Sequence, residues 1–245
     1  MLLTNSEASA ELDAANIGLL AQRRVDGIIL SVSNETNPAT LAALDRLEIP
    51  VVMLDRDVDA GQTVHVYTDH QRGMREAVAH LLDLGHRNIA MISGQPMRPV
   101  KERSAALEGC YAERGLAPTY RIVNGVFSVD YGARAAGELL SLDAPPTAII
   151  AGGNQLMLGA LRVLHSRGIR LGRDVSFVGC DGVPISELYD PPIAVVRRDT
   201  AAIGRRAAEL MLALLGGAED VADATLPSEF IARASCGPVP AMGKG

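Results

Sequence analysis

Short apolar runs alternate with amphipathic stretches along most of the chain. Gly27-Ile-Ile-Leu-Ser31, Val51-Val-Met-Leu54, Val64-His-Val-Tyr67 and Asn88-Ile-Ala-Met-Ile-Ser93 read as strands, and Leu2-Leu3 as the stub of an earlier one. Residues 8–24, 38–47 and 69–84 carry apolar positions at helical spacing, the last stretch stopping at Gly85. The second half repeats the theme with helix 101–114, strand 121–124, helix 130–140, strand 147–151, helix 154–167 and strand 175–179. Strands of this length separated by helices imply an α/β fold of parallel sheets with right-handed crossovers. The final third departs from the pattern. Ile193 to Val196 is a strand, Thr200 to Leu215 an amphipathic helix, and 224–233 a late strand pair interrupted by Pro227. The Gly-, Pro- and Ala-rich tail from Gly237 is expected to be disordered.

Composition sharpens this picture. Of the 245 residues 48% are hydrophobic but only 3% aromatic, with no Trp, so the cores are aliphatic, as suits strands covered on both faces by helices. The net charge of −6 argues against gripping a phosphate backbone unaided, because that affinity comes from clustered Lys and Arg. Three widely spaced cysteines, Cys110, Cys180 and Cys236, form no C-x-x-C pair. Reduced thiols in a cytoplasm are expected rather than a disulfide framework or a zinc site. The five histidines never fall at zinc spacing, so no metal and no cofactor is expected. The opening Met1-Leu-Leu-Thr-Asn5 lacks the regions of a signal peptide, and no apolar run is long enough to suggest a membrane span.

One stretch carries candidate chemistry. Val175-Ser-Phe-Val-Gly-Cys-Asp-Gly182 is an apolar strand ending in a glycine and a carboxylate, and Asp190-Pro-Pro-Ile-Ala-Val-Val196 starts the next strand after a bend. Asp181 thus falls at the carboxyl edge of a buried parallel sheet, where open α/β folds bind ligands. The same Asp could instead cap the turn that follows it. The Gly-rich turn Ala151-Gly-Gly-Asn-Gln155 opens a helix at that edge but has no Walker-type lysine for phosphate. Asn154 there is either a ligand contact or a helix N-cap. No Gly-x-Ser-x-Gly elbow, dinucleotide fingerprint or acid–base pair stands out, so catalysis is not expected.

An ordered set of segments resembles the effector-binding domain of the lactose-repressor (LacI) family of bacterial transcription regulators. The set comprises Arg24-Val-Asp-Gly-Ile-Ile29, Pro50-Val-Val-Met-Leu-Asp-Arg56, 80–94 (His-Leu-Leu-Asp-Leu-Gly-His-Arg-Asn-Ile-Ala-Met-Ile-Ser-Gly), Arg103 to Gly115, Pro146-Thr-Ala-Ile-Ile150, Leu158-Gly-Ala-Leu161, Val178-Gly-Cys-Asp181 and Leu226-Pro-Ser-Glu-Phe-Ile-Ala-Arg233. The resemblance implies a periplasmic-binding-protein-like type I architecture, two doubly wound parallel-sheet lobes joined by three crossovers. The first lobe would be 1–94 plus 197–220, the second 95–196 plus 221–240, with 241–245 a tail. It further implies a homodimer that senses a small molecule, a sugar, sugar phosphate or purine, in the cleft. Operator DNA would be bound through a helix-turn-helix head lying outside these residues. The family also places a strand and helix ahead of Leu2-Leu3, so a longer native product is expected, with Met1 an internal start. The alternative of the same architecture is a solute-binding protein of sugar transport.

Site residues follow from the resemblance position by position. Arg103 matches the family's cleft arginine, although Ala106 and Leu107 stand where a Gly and an aromatic are usual; otherwise it is an exposed helix arginine near Lys101 and Glu102. Asp181 matches the acceptor of sugar hydroxyls or a purine nitrogen, with Gly182 replacing a frequent second acid. Asn154 inherits one half of an Asn-Asp pair. Asp69-His70 matches a common Asp-Asn pair at the start of a cleft-lining helix, with Asp69 a helix cap first and His70 a departure. Arg72, one turn further on, either points into the cleft or is a surface arginine. His86, within Gly-His-Arg-Asn-Ile, is read as a structural turn residue.

Overall fold

The computed structural model describes residues 1–58, 60 and 63–239. In chain order the elements are α1 (Ala10–Gln22), β1 (Ile28–Leu30), α2 (Pro38–Asp45), β2 (Val51–Leu54), β3 (Thr63–Asp69), α3 (His70–Asp83), β4 (Ile89–Ser93), α4 (Arg98–Glu113) and β5 (Arg121–Asn124). They continue with α5 (Val129–Leu139), β6 (Ala148–Ala151), α6 (Asn154–Ser166), β7 (Ser176–Cys180), α7 (Pro184–Leu188), β8 (Ala194–Arg198), α8 (Thr200–Leu215) and β9 (Ala224–Ile231).

The chain forms two compact units. The first comprises Met1–Thr68, Met97–Pro99 and Asp199–Leu226. Its strands run parallel in the order β1-β2-β3, with Ile28 opposite Val51 and Val52 opposite Val64. Side chains alternate across a strand, and the core divides accordingly. Val51 and Met53 join Ile17 of α1 and Leu44 of α2, whereas Val52 and Val66 join Ile203, Ala207 and Leu210 of α8. Caps fix where the helices start: Ser9, Asn37 and Asp199 accept from backbone N–H groups of Leu12, Thr40 and Ala202.

The second unit comprises Asp69–Pro96, Val100–Arg198 and Pro227–Gly245. Its strand order is β9-β8-β7-β6-β4-β5, parallel throughout except for the antiparallel β8–β9 pair. One face buries Met91, Ile150 and Val178 against Met74, Val78 and Leu81 of α3 and Leu107 and Tyr111 of α4. The other buries Ile92, Ile149 and Phe177 against Leu139 of α5 and Leu156 and Leu161 of α6. Each such side chain contributes about 1.5–3 kcal/mol on burial. Two glycines bring α5 and α6 together: a Cβ on Gly159 would lie 2.0 Å from the Val129 carbonyl oxygen, and one on Gly132 2.5 Å from that of Leu156.

Several expectations are corrected. Residues 69–94, expected in the first lobe, pack in the second unit, because the apolar side of α3 and alternate residues of β4 are built into its core. The compact units change over between Arg198 and Asp199 and between Leu226 and Pro227, beside the expected lobe ends at 196, 220 and 221. Leu2-Leu3 forms no strand and is exposed. The late strand pair is one strand, β9; Pro227 precedes the register with β8, which runs from Ser228 to Ile231, so its missing N–H removes no bond from that ladder. The segment after Cys236 is tied down to Val239. Gly237 N–H donates to Ser176 Oγ, its carbonyl accepts from the same hydroxyl, and Val239 N–H donates to the Leu84 carbonyl. The remainder of the expected tail, 240–245, lies outside the described residues.

Candidate functional site

The loop at the carboxyl end of β6 meets the end of β4 at Gly152. A Cβ there would sit 2.9 Å from the Ile92 carbonyl oxygen and 3.2 Å from Ser93 Oγ, so glycine alone allows the approach. Arg103 reaches the same spot from the first turns of α4. Its Nη1 donates to the Gly152 carbonyl at 2.8 Å, and Nη2 lies 3.2 Å from His70 Nδ1. Arg103 is only 4% exposed and His70 fully buried. The alternative of an exposed helix arginine is therefore excluded. Ala106 and Leu107, the departures that follow it, are core residues, which fits small and aliphatic side chains on the inward side of α4.

Two polar atoms at this edge are buried without a hydrogen-bond partner among the described residues, Arg103 Nε and Ser93 Oγ. Buried polar groups are nearly always satisfied, and each exception costs about 1–3 kcal/mol. Exceptions that cluster at the carboxyl edge of a parallel sheet mark a place for a hydrogen-bonding ligand. Phe127, beyond β5, supplies an apolar wall. It is 38% exposed and lies against Gly94 and Gly153; an added Cβ would sit 3.6 Å from its ring at Gly94 and 2.4 Å at Gly153.

Asp181 holds a left-handed backbone conformation, φ 74°, which Asp tolerates better than most side chains. Its N–H donates to the Val196 carbonyl and its Oδ1 accepts from Arg198 Nε at 2.8 Å. Both partners of this ion pair are about a quarter exposed at the side chain. Asp181 thus presents a carboxylate pre-oriented by a cation at the same edge as Arg103.

The other expected residues fall in different places. Asp69 is the N-cap of α3, accepting from Arg72 N–H at 3.0 Å. The Arg72 side chain is exposed and lies 3.6 Å from Glu76 one turn on. Asn154 does not cap α6: it is the first helical residue, Gly153 occupies the cap position, and its Oδ1 accepts from Gln155 N–H. His86 follows the turn that ends α3, its N–H donating to the Leu81 carbonyl, and its side chain is buried in the second unit. Its Nδ1 meets Thr147 Oγ1 at 2.9 Å, and its Nε2 meets Ser176 Oγ at 2.9 Å and the Gly237 carbonyl at 3.0 Å. Burial holds its pKa below the usual imidazole value, so the ring is neutral.

A second polar cluster, absent from the sequence reading, lies in the first unit. Buried Glu35 accepts from the backbone N–H groups of Asp57 and Arg98. Arg98 Nη1 donates to Asp57 at 2.8 Å, and its guanidinium stacks 3.9 Å above the Tyr67 ring. Asp13 accepts from the backbone and hydroxyl of Ser33. Phe127 and Ser93 were also missed. An aromatic just beyond an edge strand, in a chain with so few aromatics, was the available signal for Phe127; nothing in the sequence distinguished Ser93.

Among the described residues no group of three or more His, Cys, Asp or Glu side chains is placed to hold a metal ion. No described helix is long and apolar enough to cross a membrane.

The model of the periplasmic binding protein-like domain matches residues 78–236, well over half of the chain. The chain belongs to that family. Within it, the relatives of this periplasmic binding protein-like domain are LacI-type regulators. It is 26% identical over 226 residues to ExuR of Bacillus subtilis, covering 91% of this chain and 68% of that protein. It is 28% identical over 218 residues to the HTH-type transcriptional repressor PurR of Aliivibrio fischeri, covering 86% and 64%. The chain thus spans about two thirds of the length of these curated relatives. Among solved structures, a LacI family transcriptional regulator from Enterococcus faecium with bound ribose superposes with a TM-score of 0.85 at 26% identity, covering 97% of this chain and 87% of that one.

Proposed function

We propose that this chain is the effector-sensing part of a LacI-type transcription regulator. It takes a small polyhydroxylated molecule, a sugar or sugar derivative, at the carboxyl edge of the second unit's sheet. Arg103 and Ser93 donate hydrogen bonds to ligand oxygens, Asp181 accepts from a hydroxyl, and Phe127 packs on the apolar face of the ring. Asp69 and Arg72 at the start of α3 and Asn154 at the start of α6 add further effector contacts, and His70 acts through Arg103. The observation that carries this reading is Arg103, a nearly buried guanidinium with an unpartnered Nε–H at the sheet edge where α/β folds bind ligands. An arginine suits the task because its planar fork grips two oxygens at once.

The chain acts without catalysis or cofactor, as a cytoplasmic homodimer. Its ligand controls operator binding by a DNA-reading part outside the 245 residues. Control of this kind requires the ligand to bind the two regulatory states with different affinity. The repressor relatives and the ribose-bound neighbour favour this reading over a transport-linked solute-binding protein.

The test is a thermal melt of the chain against ribose, other sugars, sugar phosphates and nucleobases. A ligand at a hundred times its Kd adds about 2.7 kcal/mol, or roughly 5–10 °C for a chain of this size. One ligand class should raise the midpoint, and Arg103→Ala should abolish the rise. A midpoint indifferent to the whole panel, or an equal rise in the Arg103→Ala variant, refutes the proposal.

A further inference from the structure

His70 is buried at the first position of α3, with its backbone N–H donating to Glu102 Oε2 at 3.1 Å. Its ring meets an arginine, which carries only donors and keeps its charge at any pH of interest. The 3.2 Å contact between Arg103 Nη2 and His70 Nδ1 therefore requires Nδ1 to accept. The imidazole is then neutral, with its proton on Nε2. A protonated His70 would turn a donor toward a donor and set two cations in contact.

From this we infer that His70 is a positioning residue for effector recognition. The neutral ring and the Gly152 carbonyl hold the two terminal nitrogens of Arg103 from different sides. The plane of the guanidinium is fixed, and its remaining donors, Nε–H among them, are left to the ligand. The inference rests on the effector role proposed for Arg103.

Charged groups on the surrounding elements have partners of their own. On α4 these are Glu102, bonded to the His70 backbone, and Arg103 itself. On β8 and β9, Arg197 bonds Glu229 and Arg198 bonds Asp181. On α3, Asp69 caps the helix and Arg72 pairs with Glu76.

Three variants and two readouts test the inference. Nitrogen-15 NMR of the ligand-free chain should report the Nε2–H tautomer for His70, with its ring signals displaced in Arg103→Gln. In ribose titrations by calorimetry, His70→Ala should bind roughly ten- to hundredfold more weakly, the range expected for one charge-assisted hydrogen bond. His70→Asn, whose amide oxygen can stand in for Nδ1, should restore binding. An Nδ1–H tautomer, ring signals unmoved by Arg103→Gln, or full affinity in His70→Ala overturns the inference. Should wild-type chain ignore ribose and the rest of the panel, the effector proposal fails. The tautomer and its response to Arg103→Gln then still decide the His70 contact by themselves.

Discussion

Replacing His86 with Ala removes the imidazole from the interior of the second unit, and the structure sets the size of the loss. The ring makes three polar contacts, to Thr147, Ser176 and the Gly237 carbonyl, all at 2.9–3.0 Å. At about 0.5–1.5 kcal/mol net for each bond, their sum is about 1.5–4.5 kcal/mol. The cavity left by the ring adds to this, since the surrounding strands relax only partly. Urea unfolding followed by circular dichroism should show the variant destabilised by at least about 2 kcal/mol at pH 7.5. A pH series sharpens the test. Burial lowers the His86 pKa, so between that lowered value and the ordinary ~6.5 the unfolded chain binds the extra proton. Its stabilisation is complete above about pH 6.5 and is lost as the pH falls through the folded-state pKa. The gap between wild type and His86→Ala should therefore narrow on acidification. A loss below about 0.5 kcal/mol, or a gap that stays constant from about pH 7.5 to about 5, would refute the reasoning.

Other substitutions probe the remaining features. Asp181→Ala should abolish the ligand-induced rise in melting temperature while leaving the ligand-free midpoint within a few degrees, because its ion pair with Arg198 is partly exposed and weak in stability terms. Phe127→Ala should weaken the same ligand by roughly tenfold through lost ring contact, measured by calorimetry. Gly159→Ala should destabilise the chain by about 1–3 kcal/mol or more in urea, since the added methyl meets backbone rather than a movable side chain. Burial raises the thiol pKa of Cys110 and Cys180 and pushes that of Cys236 up to about 11. Ellman's reagent at pH 8 should then react slowly with the folded chain and fully once it is denatured.

Much of this architecture was legible because it is written in local patterns. The strands at 51–54, 89–93 and 176–180 are apolar on both faces, and the helices between them carry their own stripes and caps. The carboxyl-edge position of Asp181 follows from the end of β7. What the sequence could not carry was pairing at long separation. That α3 belongs to the second unit is decided by Met74 and Leu81 sharing one buried core with Val178 and Val196, far along the chain. Pro227 looked like an interruption because its tolerance depends on where the register with β8 begins. The burial of Arg103 depends on Gly152 and His70, neither of which is near it in sequence. Leu2-Leu3 has the composition of a strand but no ladder to join among the described residues, and composition alone does not make one.

The interleaving of the two units bears on how the chain can be made. Each unit is assembled from separated stretches, the first waiting for Asp199–Leu226 and the second for the residues after Pro227. On a ribosome, β4, β6 and β7 emerge long before Ser235 and Gly237, which satisfy the Phe177 N–H and the His86 ring. Until those last residues appear, a central strand carries an unanswered amide and a buried imidazole lacks part of its shell. Neither unit can close before its last segment has left the ribosome. A protease or chaperone would therefore meet the nascent chain with its sheets formed but unsealed. Shortening the chain from its carboxyl end should expose the middle of the second sheet before it affects anything nearer the cut.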